Sequence, residues 1–181
     1  MPTNPPEKPL LTQNQRVLAI DFGLKRLGLA LSDDRGVLAA PYAVRERKGL
    51  KHDIADLTQT ITDLRVGSIV FGRPRGLEEG AEHHKTKIDQ FAGALESSLR
   101  EAGLPITIEW WDERFSTAEA WRGLREGGVS SRRGKDQVDA HAAAVILQGY
   151  LDACRRKREA QSREAQSREA QAPDEQVPED N

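Results

Sequence analysis

Apolar residues follow two rhythms along this chain. Val17 to Gly23, VLAIDFG, and Leu27 to Asp33, LGLALSD, are short and almost continuously apolar, separated by the basic turn Leu24 to Arg26. That is the pattern of two buried strands joined by a hairpin. Gly36 to Val44, GVLAAPYAV, predicts a third strand, so the chain opens as an antiparallel meander. From Leu50 to Leu64 the rhythm changes, with Ile54, Leu57, Ile61 and Leu64 recurring at threes and fours on one helical face. Ser68 to Gly72, SIVFG, and Pro105 to Trp111, PITIEWW, return to the continuous runs of central parallel strands. Between them Glu82 to Glu101 predicts a helix, stopped by Gly103 and Pro105. Ser116 and Glu119 make a capping box for a helix toward Gly127, and a final helix is expected over Asp136 to Tyr150. The expected class is α/β: a five-stranded mixed sheet, three antiparallel strands then two parallel ones, flanked by helices.

The two ends do not fit this scheme. Residues 1–15 carry four of the nine prolines and few apolar side chains, which predicts a disordered leader. Residues 154–181 repeat the unit SREAQ without an apolar stripe, so this charged tail can extend the last helix by a few turns but cannot pack a core. The folded domain is therefore expected over residues 16–153, and a chain of 181 residues supports one core rather than two.

Composition adds mainly exclusions. A formal net charge of -2 means that any nucleic-acid signal must be local. The single cysteine, Cys154, excludes an internal disulfide and a cysteine-based zinc site. No run is long and apolar enough to span a membrane, and MPTNPPEKPL lacks the layout of a signal peptide. The expectation is a cytoplasmic protein with no membrane partner.

The candidate chemistry is acidic and sits at element ends. Asp21 closes a strand built for burial, where a carboxylate is costly unless it caps a turn, is paired or binds a cation. Asp112 and Glu113 end the fifth strand; neighbours on a strand point to opposite faces, so only one can join Asp21. Glu113 is the choice, with Asp112 pairing Arg114 or a turn amide. Asp136 and Asp139 share one face of the last helix, where the helix dipole alone also favours acids. The small run Ala142 to Ala144 would let that helix approach the sheet and carry Asp139 over the strand tips. Asp21, Glu113 and Asp139, with Asp112 and Asp136 as secondary candidates, form a set of hard oxygen donors that selects Mg2+ or Mn2+ over zinc. Two such ions, ~3.5–4 Å apart, would activate a water and stabilise the leaving oxygen of a phosphodiester.

Phosphate-holding groups are also present. Arg122, Arg125, Arg132, Arg133 and Lys135 crowd a glycine- and serine-rich stretch read as a basic loop. Lys25 and Arg26 in the first hairpin, Arg73 and Arg75 near Gly72, and Arg114 extend the set. His83 and His84 would diverge on a helix and so do not make a metal pair, and His141, beside Asp139, is expected at the surface or behind the site rather than assisting a leaving group. Aromatic residues are 5% of the chain, too few for a single-strand stacking platform.

Four motifs in order carry a resemblance: D-x-G-x-x-R-x-G-x-A at Asp21 to Ala30, G-x-P at Gly72 to Pro74 with Gly80 beyond, DERFST at Asp112 to Thr117, and DQVDAHAAAVILQGYL at Asp136 to Leu151. Together they resemble the YqgF family, also called RuvX, whose members are described as pre-16S rRNA nucleases and as Holliday junction resolvase-like. The resemblance implies a ribonuclease H-like fold, metal-dependent nuclease activity, a role at the 5′ end of 16S ribosomal RNA and a cytoplasmic location. It points to Asp21, Glu113 and Asp139 as the acidic positions and to Arg26 as the family arginine. The strand SIVFG carries no acid where RuvC-type resolvases place a glutamate, which leaves Glu113 as the substitute. Pre-16S RNA is the expected partner, with the ribosome as a further one, acted on by a monomer or homodimer. Cleavage of branched DNA and non-catalytic RNA binding in ribosome assembly are the alternatives. An actin-like ATPase, whose phosphate loop also begins D-x-G, would need a second copy of the domain.

Overall fold

The computed structural model describes residues 15–73, 81–112 and 132–170, with positions 81, 82, 84, 132–138 and 168–170 described by backbone alone. Residues 1–14, the expected capped helix at Ser116 to Gly127 and the last residues of the tail lie outside these.

Three strands form the meander, β1 (Arg16–Phe22), β2 (Arg26–Ser32) and β3 (Ala39–Glu46), followed by α1 (Leu50–Asp63), β4 (Val66–Arg73), α2 (Ala81–Glu101), β5 (Thr107–Asp112) and α3 (Arg132–Ala170). The sheet order is β3-β2-β1-β4-β5, with β2 antiparallel to β1 and β3, and β4 parallel to β1 and β5. The expected mixed sheet is the one observed.

Strand alternation divides the core in two. Leu18, Ile20 and Phe22 of β1, with Leu27, Leu29, Ile69 and Phe71, pack against Ile54, Leu57 and Ile61 of α1 and Ile88, Phe91 and Leu95 of α2. Val17 and Ala19 point the other way and, with Ala30 and Val70, meet Ala143, Ile146, Leu147 and Leu151 of α3. Central strands buried on both faces explain why their sequences read as unbroken apolar runs.

The third strand and the last helix differ most from the sequence expectation. β3 begins at Ala39 rather than Gly36 because Asp33 organises a turn first. Its Oδ1 accepts from the amides of Val37 and Leu38 at 2.7 and 3.1 Å, and Gly36 has a φ of 64°. The last helix is far longer than Asp136 to Tyr150, running from Arg132 to Ala170. Beyond Cys154 it is mostly exposed, and Arg, Glu, Ala and Gln sustain it by backbone preference without a packed face. Arg132, Arg133 and Lys135, read as loop, belong to its opening turns.

The turn into α1 is held by one buried acid. Asp53 accepts from Arg47 Nε at 3.0 Å and from the Lys48 amide at 2.8 Å. Its side chain is 5% exposed and that of Arg47 17%, so truncation leaves a largely buried guanidinium without its carboxylate. Asp53→Ala is expected to cost about 3 kcal/mol, read as a lower urea midpoint at unchanged slope.

On the α3 face, burial raises the pKa of the half-buried Glu109 carboxyl above its ordinary range. A folded-state pKa above the unfolded one means that ionisation opposes folding at neutral pH, and that this cost vanishes below the unfolded value. Glu109→Gln should therefore raise the melting temperature at pH 7, with the gain shrinking as pH falls through the carboxylate range. A pH-independent gain would contradict this.

Candidate active site

The centre of the site is a position without a side chain. Gly28 of β2 pairs with Asp21 of β1, and both lie on the face that α3 covers. A Cβ added to Gly28 would meet the Asp139 carbonyl oxygen, lie 2.8 Å from its carbonyl carbon and stand 3.4 Å from Asp21 Cβ. The helix backbone thus rests on β2 beside Asp21. Small residues permit the approach: Ala19 and Ala30 on the sheet, Ala142 and Ala143 on the helix.

The two carboxyl groups that this contact gathers are buried, Asp21 at 4% and Asp139 at 5% exposure. Arg26 lies two residues before Gly28 and hence on the same face. Its Nε donates to Asp139 Oδ2 at 3.0 Å, fixing that carboxylate in place. Two carboxylates and one guanidinium leave these three side chains with net negative charge in a poorly hydrated place. A hard divalent cation relieves that charge, and the donors are all oxygen, so the residues fit such an ion. Among the described residues, no group of three His, Cys, Asp or Glu side chains is placed to hold one. Gly28 brings the Asp139 main chain close to Asp21, and both of these acids are buried.

The other candidates fall in distinct places. On β5, Trp111 faces α3 and meets Tyr150 edge-on, ring centroids 6.0 Å apart. Trp110 faces the other way, 5.4 Å from the Phe71 ring, and alternation puts Asp112 on that side, opposite Asp21. Glu113, Arg75, Arg114, Arg122 and Arg125 lie outside the described residues. Asp136 precedes Asp139 by three residues on α3, where only the backbone is described, as it is for Arg132, Arg133 and Lys135. Lys25 is exposed at the hairpin tip. Arg73 turns toward α2, with Nη2 3.0 Å from Asp89 Oδ1 and its guanidinium 4.3 Å above the Trp110 ring. His83 and His141 are exposed.

Two roles escaped the sequence reading. Gly28 was visible only as one glycine of a motif, and nothing local says that a helix more than a hundred residues later will rest on it. The basic segment Arg45 to Lys51, RERKGLK, did carry a signal in its charge, yet only the fold shows that its Arg47 lies at the same end of β1 as Asp21.

Known proteins agree with this architecture. The RuvX family, described as Holliday junction resolvase, matches residues 15–153. A relative from Anaeromyxobacter sp. (strain Fw109-5), named "Putative pre-16S rRNA nuclease", is 41% identical over 138 residues, covering 76% of this chain and 96% of its own. One of the same name from Syntrophomonas wolfei is 36% identical over 137 residues, covering 76% and 94%. Among solved structures, T. thermophilus RuvC in complex with a Holliday junction substrate superposes with a TM-score of 0.50 at 17% identity, covering 77% of this chain and 94% of that one. That likeness concerns the fold, which is ribonuclease H-like. With the family match running through β1 to the packed part of α3, and relatives sharing more than a third of their residues over nearly their whole length, the chain belongs to the RuvX family.

Proposed function

We propose that this chain is a metal-dependent nuclease that hydrolyses phosphodiester bonds of pre-16S ribosomal RNA at its 5′ end, in the cytoplasm. The observation that carries the proposal is the seating of the Asp139 backbone on Gly28, which brings together the distant segments that bear two buried acids, Asp21 and Asp139. The relatives' shared name supports the RNA substrate.

Asp21 and Asp139 would hold the cation, with Glu113 as the third ligand and Asp136 as a further one; the opposite facing of Asp112 favours Glu113. Mg2+ or Mn2+ suits this donor set, and when bound it would lower the pKa of a water nucleophile and neutralise charge developing on the phosphate. Arg26 keeps the Asp139 carboxylate oriented. The small residues between sheet and helix hold the two acids at fixed separation, so the site needs little reorganisation at the moment of reaction. Lys25 and the basic start of α3, Arg132, Arg133 and Lys135, supply positive charge for the sugar–phosphate backbone; Arg122 and Arg125 extend it.

An assay on a 5′-extended 16S leader tests this reading. Cleavage is expected with Mg2+ or Mn2+ and should vanish with chelator. Branched DNA is the competing substrate, motivated by the family description and the RuvC-like fold. Preferential cleavage of a four-way junction at matched salt, by a dimer, would replace the RNA assignment.

A further inference from the structure

A second feature lies at the same end of β1, on the other face of the sheet. Phe22 follows Asp21 and therefore points away from α3, into a cavity of 410 Å³ lined also by Leu24, Arg47, Leu50, Lys87 and Phe91. The Arg47 guanidinium lies 4.5 Å from the centre of the Phe22 ring and 5.1 Å from that of Phe91. Asp53 holds Nε at 3.0 Å, and the Gly23 carbonyl accepts from Nη1 at 3.5 Å. The guanidinium is a planar group held against two phenyl rings tilted 57° to one another, with its charge balanced by Asp53.

The walls have a different character. Leu24 is 56% exposed and Leu50 47%, two large apolar side chains standing at the mouth of the cavity. Lys87 and Gln90 come from α2, and exposed Lys25, Lys48 and Lys51 are chain neighbours of the lining residues Leu24, Arg47 and Leu50. A charge-balanced plane between apolar walls, with the Lys87 cation among the lining residues, matches a ligand that is flat and weakly polar on one side and anionic on the other.

We propose that this cavity binds one unpaired nucleotide of the RNA being processed, next to the scissile bond. The base stacks on the Arg47 plane between Leu24 and Leu50, the Gln90 amide meets its edge, and Lys87 with Lys25 takes the adjoining phosphate. Guanidinium planes are established stacking partners for unstacked bases, and an anchored one loses little freedom on binding. Because Asp21 and Phe22 are consecutive, a strand crossing the β1 tip can place a phosphate by the acids and a base on the far face. The polymer's identity rests on the nuclease reading; the cavity's preference for a nucleotide does not.

The test is therefore a binding measurement under chelator, where no cleavage occurs. Full-length protein is titrated with AMP while backbone amides are followed by NMR, and with a 12-nucleotide single-stranded RNA in an anisotropy assay. AMP should shift the amides of Leu24, Gly49 and Leu50. Lys87→Glu and Leu50→Asp, both at partly or fully exposed positions, should weaken RNA binding at least tenfold while keeping the wild-type melting temperature. Unchanged affinity in both variants, or amide shifts elsewhere, overturns the proposal. Weaker binding in the variants upholds it even if the wild type cuts no RNA when metal is restored, an outcome that would count against the nuclease reading alone.

Discussion

Asp21→Asn is expected to lower the cleavage rate by at least about a thousandfold, close to 4 kcal/mol of transition-state stabilisation, while leaving the protein folded. The amide keeps the shape of the carboxylate but not its charge, and an oxygen ligand of a divalent cation needs that charge. Stability should stay level or rise. Asp21 is 4% exposed, and a buried amide costs less to desolvate than a buried carboxylate. Loss of activity with a level or higher melting temperature is the signature of a site assembled against the preference of the fold. If the variant were less stable and equally active, Asp21 would be a turn-capping residue and the metal assignment would fail.

Gly28→Val should be the most damaging substitution at a position with no functional group. The added carbons fall on the Asp139 main chain, 2.8 Å from the carbonyl carbon, and main chain within a helix cannot rotate aside as a side chain can. Helix α3 must lift from the sheet, which opens the contacts of Ala143, Ile146 and Leu147 with Ala19 and Ala30. A loss of about 3 kcal/mol or more is expected, measured by denaturant unfolding, from overpacking together with the packing it undoes. Protein that still folds should cleave at least about a hundredfold more slowly, since a displacement near 1 Å misplaces Asp139 relative to Asp21. Gly28→Ala should show the same effects in smaller degree. Near-wild-type stability in the valine variant would show that α3 does not rest on β2 in solution.

These predictions depend unequally on sequence and structure. The runs VLAIDFG, LGLALSD and SIVFG announced buried strands because each is enclosed on both faces, and α1 and α2 were legible because their partners lie on one side only. The start of α3 lies earlier than the sequence pattern indicates, at Arg132, whereas its continuation into the tail follows the expected extension. Beyond Cys154 the described helix is mostly exposed and has no apolar period to read, and its persistence through SREAQ repeats comes from backbone preference. The β3 boundary was misplaced because Val37 and Leu38 look like strand residues but are exposed in a turn that Asp33 holds.

At the site, the sequence by itself determined the chemical type of the groups: carboxylates at the ends of apolar runs, glycines and alanines where bulk would obstruct, basic residues clustered in short stretches. Burial of a charge is costly wherever it occurs, so such residues stand out from local pattern alone. Only the tertiary structure decided which of them meet. Gly28 and Asp139 are far apart along the chain, and their contact arises because the small faces of β2 and α3 pack together. The same packing gives Arg26 to Asp139, and strand register sends Asp112 and Phe22 to the face away from Asp21. Side-chain chemistry is a local property of the chain, whereas juxtaposition follows from how sheet and helices close around a shared core.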